Sequence, residues 1–309
     1  MIATKNIEVL PAFQLETLPE RKKEFPFYLK LIPWAFASLG RLFPALAAKA
    51  AYRLFSTPRT RAVHKTSDEW IESARLFEIL YGKIILKCYE WGSGDKTVLL
   101  VHGWESRGTA MRTFVPGLLE AGYRVVALDG PAHGNSGGHR TNLPDFAGAV
   151  RAVINQVGPV LGIITHSFGG ATSTYALAHL DNSIQIEKLV LIAVPASTQK
   201  VVSDYMNLIH LPPRARAIFQ NEMRKKVNGL PFAETDVVNA LAKVNVGQVL
   251  VVHDKFDLSV PFESADSIFE KYDHASLLVT QGYGHYKLMK HSDVIERVVA
   301  FITDQETEE

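Results

Sequence analysis

An apolar run ends in a serine and two glycines at residues 161–180, LGIITHSFGGATSTYALAHL. Ser167 stands where the strand-like run stops and a helical pattern starts. A serine in that place sits at the edge of the sheet where parallel strands bind their ligands. So abrupt a reversal is crowded, and Gly169, two positions on, lets helix and strand approach. The N–H of Phe168 then lies at a helix N-terminus, placed to stabilise negative charge on a reacting carbonyl oxygen. The chemistry implied is attack by a hydroxyl, which needs a base to take its proton. The plainer alternative for such a serine is a helix N-cap. Two later segments supply acids and imidazoles at the ends of expected strands: HDKFDLSVP from residue 253 and QGYGHYKL from residue 281.

The elements that must position these groups alternate. A hairpin turns at Tyr81-Gly82, and TVLLVHGW is a buried strand running into a loop. A helical stretch stops at Gly122, a strand leads to Asp129, a helix starts near Asn142 or Asp145, and a further strand leads to Ser167. Strand and helix in repetition give a mostly parallel, doubly wound α/β sheet. The rhythm breaks at about residues 197–246, an all-helical stretch punctuated by Pro212-Pro213. An insertion there is expected to form a cap, with Tyr205, Met206, Leu208, Ile209, Leu211, Phe219 and Met223 as its apolar lining. Two parts are therefore expected: an apolar N-terminal helical extension over residues 1–60, and an α/β domain over residues 61–309.

The segment Thr165-His166-Ser167-Phe168-Gly169 resembles the nucleophile elbow G-x-S-x-G of the α/β-hydrolase family, with Thr165 in place of the first glycine. The resemblance extends to D-x-x-V-P at Asp257, Val260 and Pro261, and to Gly284-His285. It includes HG-x at His102, Gly103 and Trp104, and the loop DGPAHGNSGG from Asp129. It spans roughly residues 75–302, with the cap matched in position only. It implies Ser167 as nucleophile, His285 as base, Asp257 as its acidic partner, and an oxyanion hole from the backbone N–H groups of Trp104 and Phe168. Asp254, three residues before Asp257, is the rival acid. His102, His133 and His166 lie near the site by motif, and structural hydrogen bonds account for each.

The implied activity is serine hydrolysis of a carboxylic ester, with thioester and amide open to the same acyl-enzyme chemistry. An acyltransferase of the same fold is one alternative, and a slow, ligand-binding hydrolase-fold protein is another. Ser167 argues against the carboxylate-nucleophile members, the dehalogenases and epoxide hydrolases. The expected partner is a small apolar ester.

Composition narrows the remaining classes. Among 309 residues the formal net charge is +1, which gives no reason to expect nucleic acid. The one cysteine, Cys88, excludes an intramolecular disulfide and fits a reducing, cytoplasmic setting. GSGDKT at residues 92–97 lacks the P-loop order and precedes a strand, so it reads as a turn. No metal-ligand spacing and no dinucleotide fingerprint stands in the chain, so neither metal nor cofactor is expected. Residues 25–55 are apolar but broken by Lys30, Arg41 and Lys49. They read as helices packed on the body of the protein, or as an interfacial anchor at a membrane surface.

Overall fold

The computed structural model describes residues 5–12, 27–62, 69–181, 184–229 and 231–305. One sheet runs through these. Its strands are β1 (Asn6–Val9), β2 (Arg75–Tyr81), β3 (Ile84–Trp91), β4 (Thr97–Val101), β5 (Arg124–Leu128), β6 (Val160–His166), β7 (Ile186–Ile192), β8 (Val246–Asp254) and β9 (Ala275–Thr280). They lie in the order β1-β9-β8-β7-β6-β4-β5-β3-β2. The pairs β2–β3 and β3–β5 are antiparallel and every other pair is parallel.

The central strands are buried on both faces, which is why β4 is a continuous apolar run, TVLLV. Successive side chains still divide between two cores. Leu99 and Val101 join a core with Phe146, Val150 and Ile268, while Val98 and Leu100 join one with Phe114, Val294 and Val298. Helix Leu143–Val157 covers the first face and helix Ser292–Thr303 the second.

Sheet order fixes where a ligand can sit. From β4 the chain crosses to β5 on one side, and from β6 it crosses to β7 on the other. Beyond the C-terminal ends of β4 and β6 the two connections diverge, leaving a crevice. The loop after β4 carries Trp104, and the turn after β6 carries Ser167.

Residues 1–60 differ from the expected helical extension in one respect: among them β1 is a strand of the sheet. It pairs in parallel with β9, Asn6 opposite Ser276 and Val9 opposite Val279. Arg297 bonds Glu8 at 2.7 Å across the same edge. The helices Phe27–Leu42 and Pro44–Phe55 do form. They pack on the insertion, whose main helices are Thr198–Leu208 and Pro213–Lys226. Ala47, Ala48 and Ala51 give helix Pro44–Phe55 a small, flat face, and Met206, Phe219 and Met223 press against it. Tyr205 donates its hydroxyl to Ala51 O at 2.8 Å. Phe219 meets Phe55 edge-on, ring centroids 6.1 Å apart.

That seam corrects the expected lining of the cap. Phe219 and Met206 are buried between helices, and Leu208 points to solvent at 71% exposure, so none of the three walls an open pocket. The insertion leaves β7 beside Ser167, whose N–H donates to Ile192 O at 2.8 Å. It returns to β8 along the outside of helix Phe168–Leu177, with Val237 and Leu241 in the same core as Ala171.

Phe219→Ala should therefore act on stability. A fully buried phenylalanine removed from such a seam costs about 3–5 kcal/mol. Urea unfolding of the variant should show a loss of that size. A loss below about 1 kcal/mol would mean that the helical layer contributes little to the folded chain.

Candidate active site

Ser167 has φ 52° and ψ −121°, a backbone conformation that a residue with a side chain seldom adopts. Three hydrogen bonds hold it there. Ser167 N–H donates to Ile192 O at 2.8 Å, Gly170 N–H donates to Ser167 O at 2.9 Å, and Thr165 Oγ1 donates to Val190 O at 2.8 Å. Space decides the rest. A Cβ at Gly169 would lie 2.4 Å from Val101 O, so helix Phe168–Leu177 can approach β4 only with glycine there. A Cβ at Gly170 would meet Val194 at 2.2 Å and Thr165 Oγ1 at 3.0 Å. The second glycine thus makes room chiefly for Val194, and less tightly for the threonine that replaces the first glycine of the motif.

The loop after β4 lies against this turn: a Cβ on Gly103 would sit 3.1 Å from Ser167 Cβ. Neither Trp104 N–H nor Phe168 N–H donates to another protein group among the described residues. Both N–H groups are therefore unengaged by protein beside the serine. Their side chains meet edge-on, Trp104 and Phe168 ring centroids 5.3 Å apart, and form an apolar wall.

The loops after β8 and β9 bring Asp257 and His285 together. His285 Nδ1 donates to Asp257 Oδ2 at 2.7 Å. That fixes the tautomer, and Nε2 keeps its lone pair with no other partner among the described residues. Asp257 Oδ1 accepts from Ser259 N–H at 2.7 Å and Val260 N–H at 3.0 Å. Burial alone would raise the Asp257 carboxyl; the His285 bond and these two N–H groups outweigh it and hold it below the usual carboxylate range. His166, the residue before the serine, bonds His285 O through Nε2 at 2.9 Å, so the turn and the histidine loop are tied directly.

Asp254 does different work. Its Oδ1 accepts from Phe256 N–H at 2.9 Å, and its Oδ2 accepts from Thr280 Oγ1 at 2.7 Å and Tyr283 N–H at 2.8 Å. It laces the loop of Asp257 to the loop of His285 without touching the imidazole. His253, also buried, bonds Val260 O through Nε2 at 2.9 Å.

Two more histidines brace the loop that carries Trp104. His102 accepts from Gly130 N–H at 3.0 Å through Nε2 and donates from Nδ1 to Gly103 O at 2.7 Å. His133 accepts from Glu105 N–H at 3.0 Å through Nε2 and donates from Nδ1 to Pro131 O at 2.9 Å. Asp129 anchors the same region by accepting from Gly108 N–H at 2.7 Å and Asn135 N–H at 2.8 Å. One further contact joins residues that no sequence pattern links. Arg59, from the N-terminal region, grips Glu105 through its backbone N–H at 2.7 Å and its guanidinium at 3.0 Å.

His102 and His133 must be neutral to both accept and donate. Burial is the main cause that pushes His102 and His133 down to about 4 and His166 to about 3. An unfolded histidine titrates near about 6.5. The folded values lie below that, so between these limits the unfolded chain binds more protons and stability falls as the pH drops through about 6.5 toward about 4. Urea unfolding should show a loss on the order of 2 kcal/mol per bracing histidine between about pH 7 and about pH 5. His133→Gln should flatten that slope; an unchanged slope would remove His133 from the account.

Comparison with known proteins adds the family. The bifunctional esterase/perhydrolase DCH of Acinetobacter calcoaceticus is 26% identical, covering 69% of this chain and 94% of its own length. A non-heme haloperoxidase of Rhodococcus erythropolis is 25% identical, covering 67% and 91%. Among solved structures, an esterase of Pyrococcus furiosus superposes with a TM-score of 0.62 at 21% identity, over 81% of this chain and 98% of that one. The sequence model of the Alpha/beta hydrolase family matches residues 98–283, from the second residue of β4 to two residues short of His285. That match covers more than half of the chain, which accordingly belongs to the alpha/beta hydrolase family and is a hydrolase by kind.

Proposed function

We propose that the chain is a serine hydrolase that cleaves a carboxylic ester through an acyl-enzyme on Ser167. The observation that carries this reading is the buried 2.7 Å bond between His285 and Asp257, on a loop that His166 holds against the serine turn. In this reading Ser167 Oγ attacks the ester carbonyl while His285 Nε2 takes its proton. Asp257 holds the imidazole in its working tautomer and stabilises the imidazolium. The N–H groups of Trp104 and Phe168 receive the oxyanion. His285 then protonates the leaving alcohol as the C–O bond breaks. Water, deprotonated by the same nitrogen, releases the acid and restores the serine.

The wall of Trp104 and Phe168 supports an apolar, small-molecule ester as substrate. A relative at about a quarter identity is named an esterase, which supports the same class. The acyl-enzyme route serves thioesters and amides as well, and activity on matched p-nitrophenyl ester, thioester and anilide panels ranks the three.

A fluorophosphonate should label the protein at Ser167, and Ser167→Ala should abolish labelling and lower kcat by about 10⁴ or more. Peptide mapping to another residue, or silence from folded protein, would sink the nucleophile assignment. The two aspartates should separate by readout. Asp257→Asn favours the wrong imidazole tautomer and should cost on the order of 10³–10⁴ in kcat. Asp254→Asn should instead lower unfolding stability by about 1–3 kcal/mol, because it leaves a buried donor or acceptor unmatched, and should retain most of the turnover of folded enzyme. A reversal of the two results would move the acid from Asp257 to Asp254.

A further inference from the structure

Helix Phe27–Leu42 is apolar on more than the face that it buries. Ile32 and Phe36 pack on the cap seam, and Gly40 lies so close to the cap that a Cβ would sit 3.0 Å from Pro212. Large apolar side chains of the same helix also face solvent, with Arg41 one heptad after Trp34: Leu31 is 48% exposed, Trp34 70%, Leu39 56% and Leu42 72%. Phe43 at 58% and Leu46 at 66% extend it onto the next helix. Scattered exposed leucines need no explanation, but six large apolar side chains along one helical hairpin form a patch of the kind that marks an interaction site. A helix apolar all round is otherwise found inside a core or against lipid.

Charge says what covers the patch. From residue 25 to residue 67 the chain contains Lys30, Arg41, Lys49, Arg53, Arg61 and Lys65, besides Arg59 that Glu105 already neutralises, and no aspartate or glutamate. On helix Pro44–Phe55, Leu46, Lys49, Ala50 and Arg53 follow at i, i+3, i+4 and i+7, so the exposed apolar face runs directly into an exposed basic one. A second copy of the chain is a poor occupant. A two-fold contact sets the patch against itself and brings basic groups together with no acid of the hairpin itself between them. An anionic lipid surface meets both properties, since side chains such as Trp34 and Phe43 settle at the headgroup level and lysine and arginine pair with the phosphates. Among the described residues no helix is long and apolar enough to cross a membrane, so the hairpin would lie on the bilayer and not span it.

We infer that the outer face of the helical hairpin Phe27–Phe55 is a docking surface for an anionic lipid bilayer. The inference is independent of the reaction at Ser167. It is tested by floating the full chain with vesicles of phosphatidylcholine alone and with vesicles containing roughly a third phosphatidylglycerol. The protein should float with the anionic vesicles, weakly or not at all with the neutral ones, and the bound fraction should fall as NaCl rises from about 0.1 M to about 0.5 M. The triple variant Trp34→Ser, Leu42→Ser and Leu46→Ser changes only exposed positions and should lower partition about tenfold or more. Lys49→Glu with Arg53→Glu should remove the preference for anionic lipid while leaving unfolding stability unchanged. Failure to float, or flotation undiminished in the serine variant, overturns the inference. So does a concentration-dependent dimer that the serine variant turns into monomer in the absence of vesicle binding, which would give the surface to a second copy.

Discussion

The backbone at Ser167 is the constraint on which the neighbouring structure depends. A residue with a side chain held at φ 52° is strained, and it persists only where its surroundings leave no alternative. Those surroundings are three different elements. The last residue of β7 accepts the serine N–H, glycine at 169 admits the carbonyl of Val101 at the end of β4, and glycine at 170 admits Val194 after β7. Pairing of β6 with β4 on one side and β7 on the other thus does more than build a sheet. It supplies the walls that hold one hydroxyl above the crevice where the two connections diverge. Relaxing any wall lets the serine return to an ordinary conformation and withdraw its hydroxyl.

Three buried aspartates stand at or just after strand ends, and they differ in what surrounds them. Asp129 and Asp254 are saturated by backbone N–H groups and hydroxyls, which makes them joints between loops. Asp257 has one oxygen saturated in that way and the other turned to an imidazole. A carboxylate so divided is rigid and still has a charge to offer. The histidines divide likewise. Those with both nitrogens engaged, His102 and His133, are struts, while His285 has one nitrogen engaged and one available.

Most of this was legible in the sequence because each chemical residue follows an apolar run at a fixed short distance, and apolar runs report strands directly. The candidates Ser167, Asp257 and His285 could be placed at strand ends for that reason, while preferring Asp257 to Asp254 rested on the D-x-x-V-P resemblance. What escaped were contacts that no local pattern encodes. The four residues of β1 carry too little alternation to announce a strand, and their partner lies at the other end of the chain. Phe219 and Met223 read as a pocket lining because their spacing shows a shared face but not what that face meets. It meets the alanines of helix Pro44–Phe55. Arg59 and Glu105, likewise, are two ordinary surface residues until the fold sets them together.

The pairing of β1 with β9 also orders events during synthesis. A ribosome emits residues 6–9 first among the strands and residues 275–280 last, so the opening strand waits through nearly the whole of elongation for its partner. Until then it has no neighbour in the sheet, and β8 is an open edge once formed, with unpaired backbone groups that invite another chain. The arrival of β9 covers β8, and β1 then covers β9 with a strand of only four residues. The pairing that synthesis allows last therefore completes the sheet on that side.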